Sequence, residues 1–481
     1  MTSAVTTEVR HRIGGHWVGE PIEERRNPAR PDEVVVTFPA GTVTEVEQAV
    51  AAATDASVGW ARTPAPARGA VLARAAAILE SRSDAVARAL SREEGKILAE
   101  SLGEVRRAID VLRYFGGEGW RLTGETVPSS SEGVLLYTKR EPLGVVAVIT
   151  PWNFPIAIPA WKIAPALVSG NAVVFKPASL TPLTACNLVQ ALLEAGLPDG
   201  VLNLVYGAGA AVGDPLVGHP GVAGISFTGS TAVGRRIQAL AGPRMARVQL
   251  EMGGKNPLIV AEDATPALAA AIAAAGGFGL TGQACTATSR VIAVGKVVEP
   301  LIEALAVEVA RRRPSDGLDG DAKMGPVVSE AQLGIDLDYL RIGVAQGARL
   351  VAGGRHRDGL FLEPALFADV RPEHRIAREE IFGPVIGVIA VDDFEEALAV
   401  ANDTEFGLAA GICTNDLRLA HRFADRIQAG VVKINQPTTG LELQLPFGGF
   451  KASTGGSFKE QGRTAVEFYS RVKSIYLNYG D

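Results

Sequence analysis

At 481 residues the chain is too long for one simple core, and 47% hydrophobic with 21% charged residues marks it as folded rather than disordered. A net charge of −6 gives no electrostatic reason to expect nucleic acid or an anionic membrane as partner. Three cysteines, Cys186, Cys285 and Cys413, make neither a disulfide framework nor a zinc-ligand spacing, so we expect no metal and a reducing, cytoplasmic compartment. The first residues contain no apolar stretch of signal-peptide length.

From 43 to about 113, apolar residues recur three and four apart (Val46, Ala49, Val50, Ala53; Val71, Ala75, Ile78, Leu79), which predicts helices. Over 116–142 the pattern changes to short alternating segments broken by Gly, Ser and Pro, and 133–140 reads as a ribbon or hairpin outside the main sheet. Strands and helices then alternate. Short apolar runs at 144–149, 172–175, 201–205 and 225–227 predict strands, with helices expected at about 158–169 and 182–195. Fully apolar strands between helices predict a parallel sheet covered on both faces. A second series follows Gly253, with strands expected at 258–260, 290–294, 385–390 and 430–434, and a last strand at 471–476. Residues 264–289 carry no charge, but Pro266, Gly276, Gly277, Gly279 and Gly282 break them into a buried helix and loop rather than a membrane span.

Four segments carry residue types suited to chemistry. Gly282-Gln-Ala-Cys285 closes the uncharged stretch. Small neighbours let a substrate approach a nucleophilic thiolate, although a lone cysteine also reads as a small buried hydrophobe. In Leu250-Glu-Met-Gly-Gly-Lys255, Glu251 is either a poorly solvated general base or a surface acid before a turn. Thr150-Pro-Trp-Asn-Phe-Pro155 follows an apolar strand, where α/β proteins place ligands. Its Asn153 amide can donate to an oxyanion, or serve the turn alone. Phe227-Thr-Gly-Ser230 precedes a helix with Arg235 and Arg236, and Gly229 and Ser230 would open that helix towards a phosphate. Gly207-Ala-Gly-Ala-Ala-Val-Gly213 has the wrong last spacing for a dinucleotide fingerprint.

Together with Phe175-Lys-Pro-Ala178, Glu379-Glu-Ile-Phe-Gly-Pro384 and Pro446-Phe-Gly-Gly449, these segments resemble the aldehyde dehydrogenase superfamily in order and wording, over nearly the whole chain. The resemblance implies an α/β fold: a Rossmann-like cofactor domain (1–121 and 143–252), an α/β catalytic domain (253–453) and a small β oligomerisation element (122–142 and 466–481). It implies a homodimer or homotetramer that oxidises a small aldehyde to a carboxylic acid with NAD or NADP. Cys285 would attack the aldehyde, with the oxyanion held by the Asn153 amide and the Cys285 backbone N–H, and Glu251 would activate the hydrolytic water. Lys162 matches a proton-relay lysine, or is a charge on a helix surface.

For the cofactor, the resemblance assigns Lys176 to the adenosine ribose and Gly229 and Ser230 to the pyrophosphate. Thr150 and Trp152 would line the same cleft, and Glu380 and Phe382 would position the nicotinamide end. Phe154, Trp161 and Phe447 would wall a substrate tunnel. Two positions depart from the common pattern. Ser179 stands where many relatives carry a ribose-binding glutamate, which leaves room for a 2′-phosphate and favours NADP. The closing segment 451–460 is longer than usual. Segments 282–290 and 437–449 are most similar to members acting on 2-oxoglutarate semialdehyde, with succinate semialdehyde or another small polar aldehyde as alternatives. Arg290 and Arg113 are available to an acidic substrate. Against a cysteine hydrolase, no histidine falls in a matched motif. Glu251 argues against a CoA-acylating or phosphorylating dehydrogenase, and the retained Cys285, Glu251, Asn153 and Lys176 against a catalytically silent binding protein on this fold.

Overall fold

Thr42 starts the first helix: its side chain accepts from Thr44 N while the Glu45 carboxylate accepts from Thr42 N, a reciprocal cap at the head of α1 (Val43–Arg62). α2 (Ala65–Ser81), α3 (Ser83–Glu94) and α4 (Leu98–Glu118) follow, so the expected helical region is four helices. α3 ends on Gly95 at φ +104, a left-handed terminus where a Cβ would also press on Pro28 and Pro326. The computed structural model describes residues 7–456 and 458–480; residues 1–6 and 481 of the expected domain ranges, and Ser457 of the closing segment, lie outside the described residues.

Two seven-stranded sheets organise the described residues. The first runs in the order Arg247–Glu251, Val222–Thr228, Val145–Ile149, Ala172–Lys176, Leu202–Leu204, all parallel, and continues antiparallel through His11–Ile13 and His16–Val18. The second runs Arg349–Gly353, Ala365–Ala368, Val385–Val391, Thr288–Val294, Asn256–Val260, Ala409–Cys413, Val431–Ile434, and only its Arg349–Gly353 edge is antiparallel. Both are the helix-covered parallel sheets that the apolar runs predict. The strands at 7–39 carry no clean alternation in the sequence and were not anticipated there; they form the first sheet's antiparallel edge and a separate three-stranded sheet.

A ribbon stands apart from both sheets. Val134–Pro142 pairs along its whole length with Ser470–Asn478, and Thr126–Val127 lies on its other side. α5 (Ala157–Val168) is buried on every face between α4 and the first sheet, and α6 (Pro182–Glu194) covers the same sheet. The uncharged stretch forms the helix Pro266–Phe278 and a tight loop. Among the described residues no helix is long and apolar enough to cross a membrane.

Candidate active site

The loop after Pro266–Phe278 lifts Cys285 between two cavities. Leu280 (φ +54), Thr281 (φ +56) and Gly282 (φ +71) run consecutively left-handed, a conformation costing roughly 1–3 kcal/mol at each non-glycine position. Neighbours hold it there: Leu280 N donates to Glu100 Oε1 at 2.8 Å, Thr281 Oγ1 to Gly325 O at 3.1 Å, and Val328 N to Gln283 Oε1 at 2.9 Å. Asn153 Nδ2 donates to Gln283 O at 2.9 Å, which sets its amide beside the same loop. The Cys285 side chain is half-buried, and burial pushes its thiol up to about 12, with Glu380, Glu251 and Glu460 adding to the effect. Such a cysteine rests as the thiol and requires a proton acceptor before it attacks.

Glu251 ends the strand Arg247–Glu251 and is buried, not a surface acid. Neither carboxylate oxygen has a side-chain hydrogen-bond partner among the described residues, and the Gly449 backbone is the nearest donor. Burial, then the neighbouring Glu460, raises its pKa well above the ordinary carboxylate range, against the pull of Lys162 and Lys459. A Cβ on Gly448, whose φ is +152, would strike Glu251 Oε1, so glycine is required there twice over.

Lys162 is wholly buried, which removes the helix-surface alternative. Its Nζ pairs with Glu460 and donates to Ser226 Oγ at 2.9 Å; Ser226 in turn donates to Gln249 Oε1 at 2.8 Å. Trp161 Nε1 donates to the second Glu460 oxygen at 2.7 Å. Sequence reading gave Glu460 no role. Its signal was weak: one acid in an atypical closing segment, 298 residues from its partner.

On one side of Cys285 lies a cleft of about 840 Å³ lined by Trp152, Asn153, Gly229, Ser230, Glu380 and Phe382, among others. Trp152 and Phe382 meet edge-on with centroids 5.4 Å apart. Gly254 N holds Glu380 Oε1 at 3.0 Å, and a Cβ on Gly253 would strike that carboxylate. Ser230 caps the helix Thr231–Ala241. The buried hydroxyls of Thr150 and Thr228 lack partners among the described residues. Open amides at a helix start, the orphaned Thr228 hydroxyl and a glycine cradle suit a dinucleotide and could hold one. Thr150, Lys176 and Ser179 do not line this cleft. Lys176 Nζ is bound to Pro177 O and Gly207 O and depressed to about 8 by burial, and Ser179 is exposed.

On the other side a tunnel of about 1190 Å³ runs to Cys285, walled by Phe154, Trp161 and Phe447. Trp161 and Phe447 pack edge-on at 6.1 Å. The arginines expected to serve an acidic substrate are elsewhere. Arg290 is buried and spent on the carbonyls of Lys255, Val400 and Ala401, while Arg113 is exposed and paired with Glu80. The tunnel's cation is Arg107. It donates to Gln461 Oε1 at 2.7 Å, forms no ion pair among the described residues, and is depressed by burial against the pull of Glu442 and Asp110. Its signal was present: Glu100, Gly103, Glu104 and Arg107 stand at helical spacing on one face of α4, a polar stripe on a helix otherwise largely buried.

This cleft, thiol and tunnel define an aldehyde-oxidising enzyme, and comparison with known proteins agrees. The aldehyde dehydrogenase family model matches residues 17–475, and the chain belongs to that family. Among curated relatives, the α-ketoglutarate semialdehyde dehydrogenase of Haloferax volcanii is 48% identical, covering 99% of this chain and 100% of its own. The 2,5-dioxopentanoate dehydrogenase of Saccharolobus solfataricus is 46% identical, covering 96% and 98%. A crystal structure of betaine aldehyde dehydrogenase from Staphylococcus aureus in complex with NAD+ superposes with TM-score 0.95 at 34% identity, covering 98% of this chain and 95% of that one.

Proposed function

We propose that this aldehyde dehydrogenase oxidises 2-oxoglutarate semialdehyde (2,5-dioxopentanoate), an aldehyde that carries its own carboxylate. The observation that carries this reading is Arg107, a cation without an ion-pair partner among the described residues, in the tunnel that ends at Cys285. A neutral aldehyde would leave that partly buried charge with only the longer-range pull of Glu442 and Asp110, whereas a carboxylate would pair with it directly. The two curated relatives named above act on the same semialdehyde.

In this reading Cys285 gives its proton to Glu251 and attacks the carbonyl carbon. The oxyanion is held by Asn153 Nδ2 and the Cys285 backbone N–H. A bound nicotinamide dinucleotide would supply the hydride acceptor, with Trp152, Gly229, Ser230, Glu380 and Phe382 holding it in the cleft and Thr150 and Lys176 meeting the part that extends beyond the cleft. Glu251 hands the thiol's proton outwards through the Lys162–Glu460 pair and, ionised again, takes a proton from the water that hydrolyses the thioester, which leaves by the same route. NADP is preferred: no acid stands at Ser179, and a 2′-phosphate would stabilise the charged form of Lys176. Subunits pair through the ribbon. Its outer strand Ser470–Asn478 is an open edge exposing Val472, Tyr476 and Leu477, the surface of a homodimer or a dimer of dimers. We place the enzyme in the cytoplasm, where Cys285 stays reduced.

The test is kcat/KM for 2-oxoglutarate semialdehyde, succinate semialdehyde and neutral aldehydes of like length, in the parent and in Arg107→Met. The semialdehyde of 2-oxoglutarate should be the best substrate. Arg107→Met should lower kcat/KM for the acidic aldehydes by about 10²-fold, through KM, and leave the neutral ones within a few-fold. Equal losses on both classes would remove Arg107 as the carboxylate's partner.

A further inference from the structure

A second buried ion pair lies at the tunnel wall, with no part in the reaction proposed above. Lys96 follows Gly95 at the turn between α3 and α4, and Glu104 lies on α4; both side chains are sealed from solvent. Lys96 Nζ donates to Glu104 Oε2 at 2.7 Å and to the backbone carbonyl of Asn153 at 2.6 Å, and sits 4.9 Å from the centroid of the Phe154 ring. The other oxygen, Glu104 Oε1, accepts from the backbone N–H of Ile156 at 2.9 Å and of Ala157 at 3.1 Å, where α5 begins. One ion pair therefore grips both ends of the segment 153–157. At its head the Asn153 side chain reaches Gln283 O, two residues before Cys285.

Stability alone is a poor reason for this pair. Desolvating two charges offsets most of their attraction, and apolar side chains of similar volume commonly fill such a space as well or better. What apolar side chains cannot do is bond a carbonyl at one end of the segment and two free N–H groups at the other. The segment carries the amide that meets the oxyanion, and such donors tolerate displacement badly: an error of about 1 Å costs roughly 10²-fold in rate.

We propose that Lys96 and Glu104 are positioning residues that set the Asn153 amide against the carbonyl oxygen of a substrate bound at Cys285. The inference rests on the role given to Asn153 in the proposed reaction.

The experiment is a double-mutant cycle on the full-length protein, reading kcat for aldehyde oxidation at saturating dinucleotide, with Lys96→Met, Asn153→Ala and the two combined. Asn153→Ala should lower kcat by about 10²–10³-fold. Lys96→Met should lower it by about 10²-fold with the KM for dinucleotide little changed, yet by no more than a few-fold once Asn153 is alanine. Should Lys96→Met fail to fold, Glu104→Gln enters the same cycle, since it keeps the volume and removes the charge. Losses that multiply in full across the cycle overturn the inference while leaving the Asn153 role intact. An Asn153→Ala enzyme as fast as the parent overturns that role first, and the inference with it.

Discussion

Lys162 and Glu460 form an ion pair with at most 2% of either side chain exposed, and Lys162 is the one charged residue of α5, a helix otherwise buried and apolar. Removing one partner strands a charge where water cannot reach it. Lys162→Met should therefore cost about 3–5 kcal/mol of stability, seen as a lower midpoint in denaturant. The double substitution Lys162→Met with Glu460→Leu should recover most of that stability and none of the lost turnover. Recovery of both together would reduce the pair to a structural element.

Glu251 gives the pH dependence its sign. Burial first, and Glu460 second, hold its pKa well above the usual carboxylate range, so it is protonated, and idle as a base, at lower pH. Turnover should rise with pH as Glu251 ionises. Glu251→Gln should abolish that limb and slow turnover by about 10²–10⁴-fold. A pH profile identical in Glu251→Gln would assign the limb to another group.

Position 179 tests the cofactor preference apart from the chemistry. Ser179→Glu places a carboxylate three residues after Lys176, where in the proposed reading it would repel a 2′-phosphate and accept from a 2′-hydroxyl. kcat/KM for NADP should fall at least about tenfold while that for NAD holds or rises. Parallel loss with both cofactors would show that residue 179 does not face the ribose.

Asp336 stores a penalty that grows with pH. Its side chain is buried, Oδ1 accepts from Gln332 Nε2 at 2.9 Å, and Oδ2 has no partner among the described residues. Burial raises its pKa from 3.8 to about 7. Because the folded value lies above the unfolded one, the neutral form's full stability is present below about pH 4 and lost as pH rises through about 7. Asp336→Asn should match the parent's melting temperature at pH 5 more closely than at pH 8, where the variant should melt higher. A difference independent of pH would mean that Asp336 does not titrate in this range.

Local order was legible. The apolar runs at 144–149, 172–175 and 385–390 are strands because short stretches apolar on both faces fit only a covered parallel sheet. The strands at 7–39 escaped because they are short or carry runs of exposed charged residues, which break the alternation. Within the site, Cys285, Glu251 and Asn153 each sit in a short segment with its own signature of glycines, prolines and small residues; Asn153 bonds the Cys285 loop, and the Glu251 charge acts on the thiol. Arg107 was missed and Arg290 and Arg113 were offered instead, because an arginine's type says nothing of where its side chain ends.

The sequence by itself determined the family and the alternation of strands and helices, and it singled out Cys285, Glu251 and Asn153 as the residues proposed for nucleophile, base and amide. Each of these is written in contiguous residues whose backbone needs are local. Only the tertiary structure decided which charges share a cavity. Lys162 with Glu460, Arg107 with Gln461, and Lys96 with the Asn153 carbonyl join positions 298, 354 and 57 residues apart. Their pairing is set by how two sheets and the buried α5 pack, and by the cost of leaving any of these groups dry and unpaired.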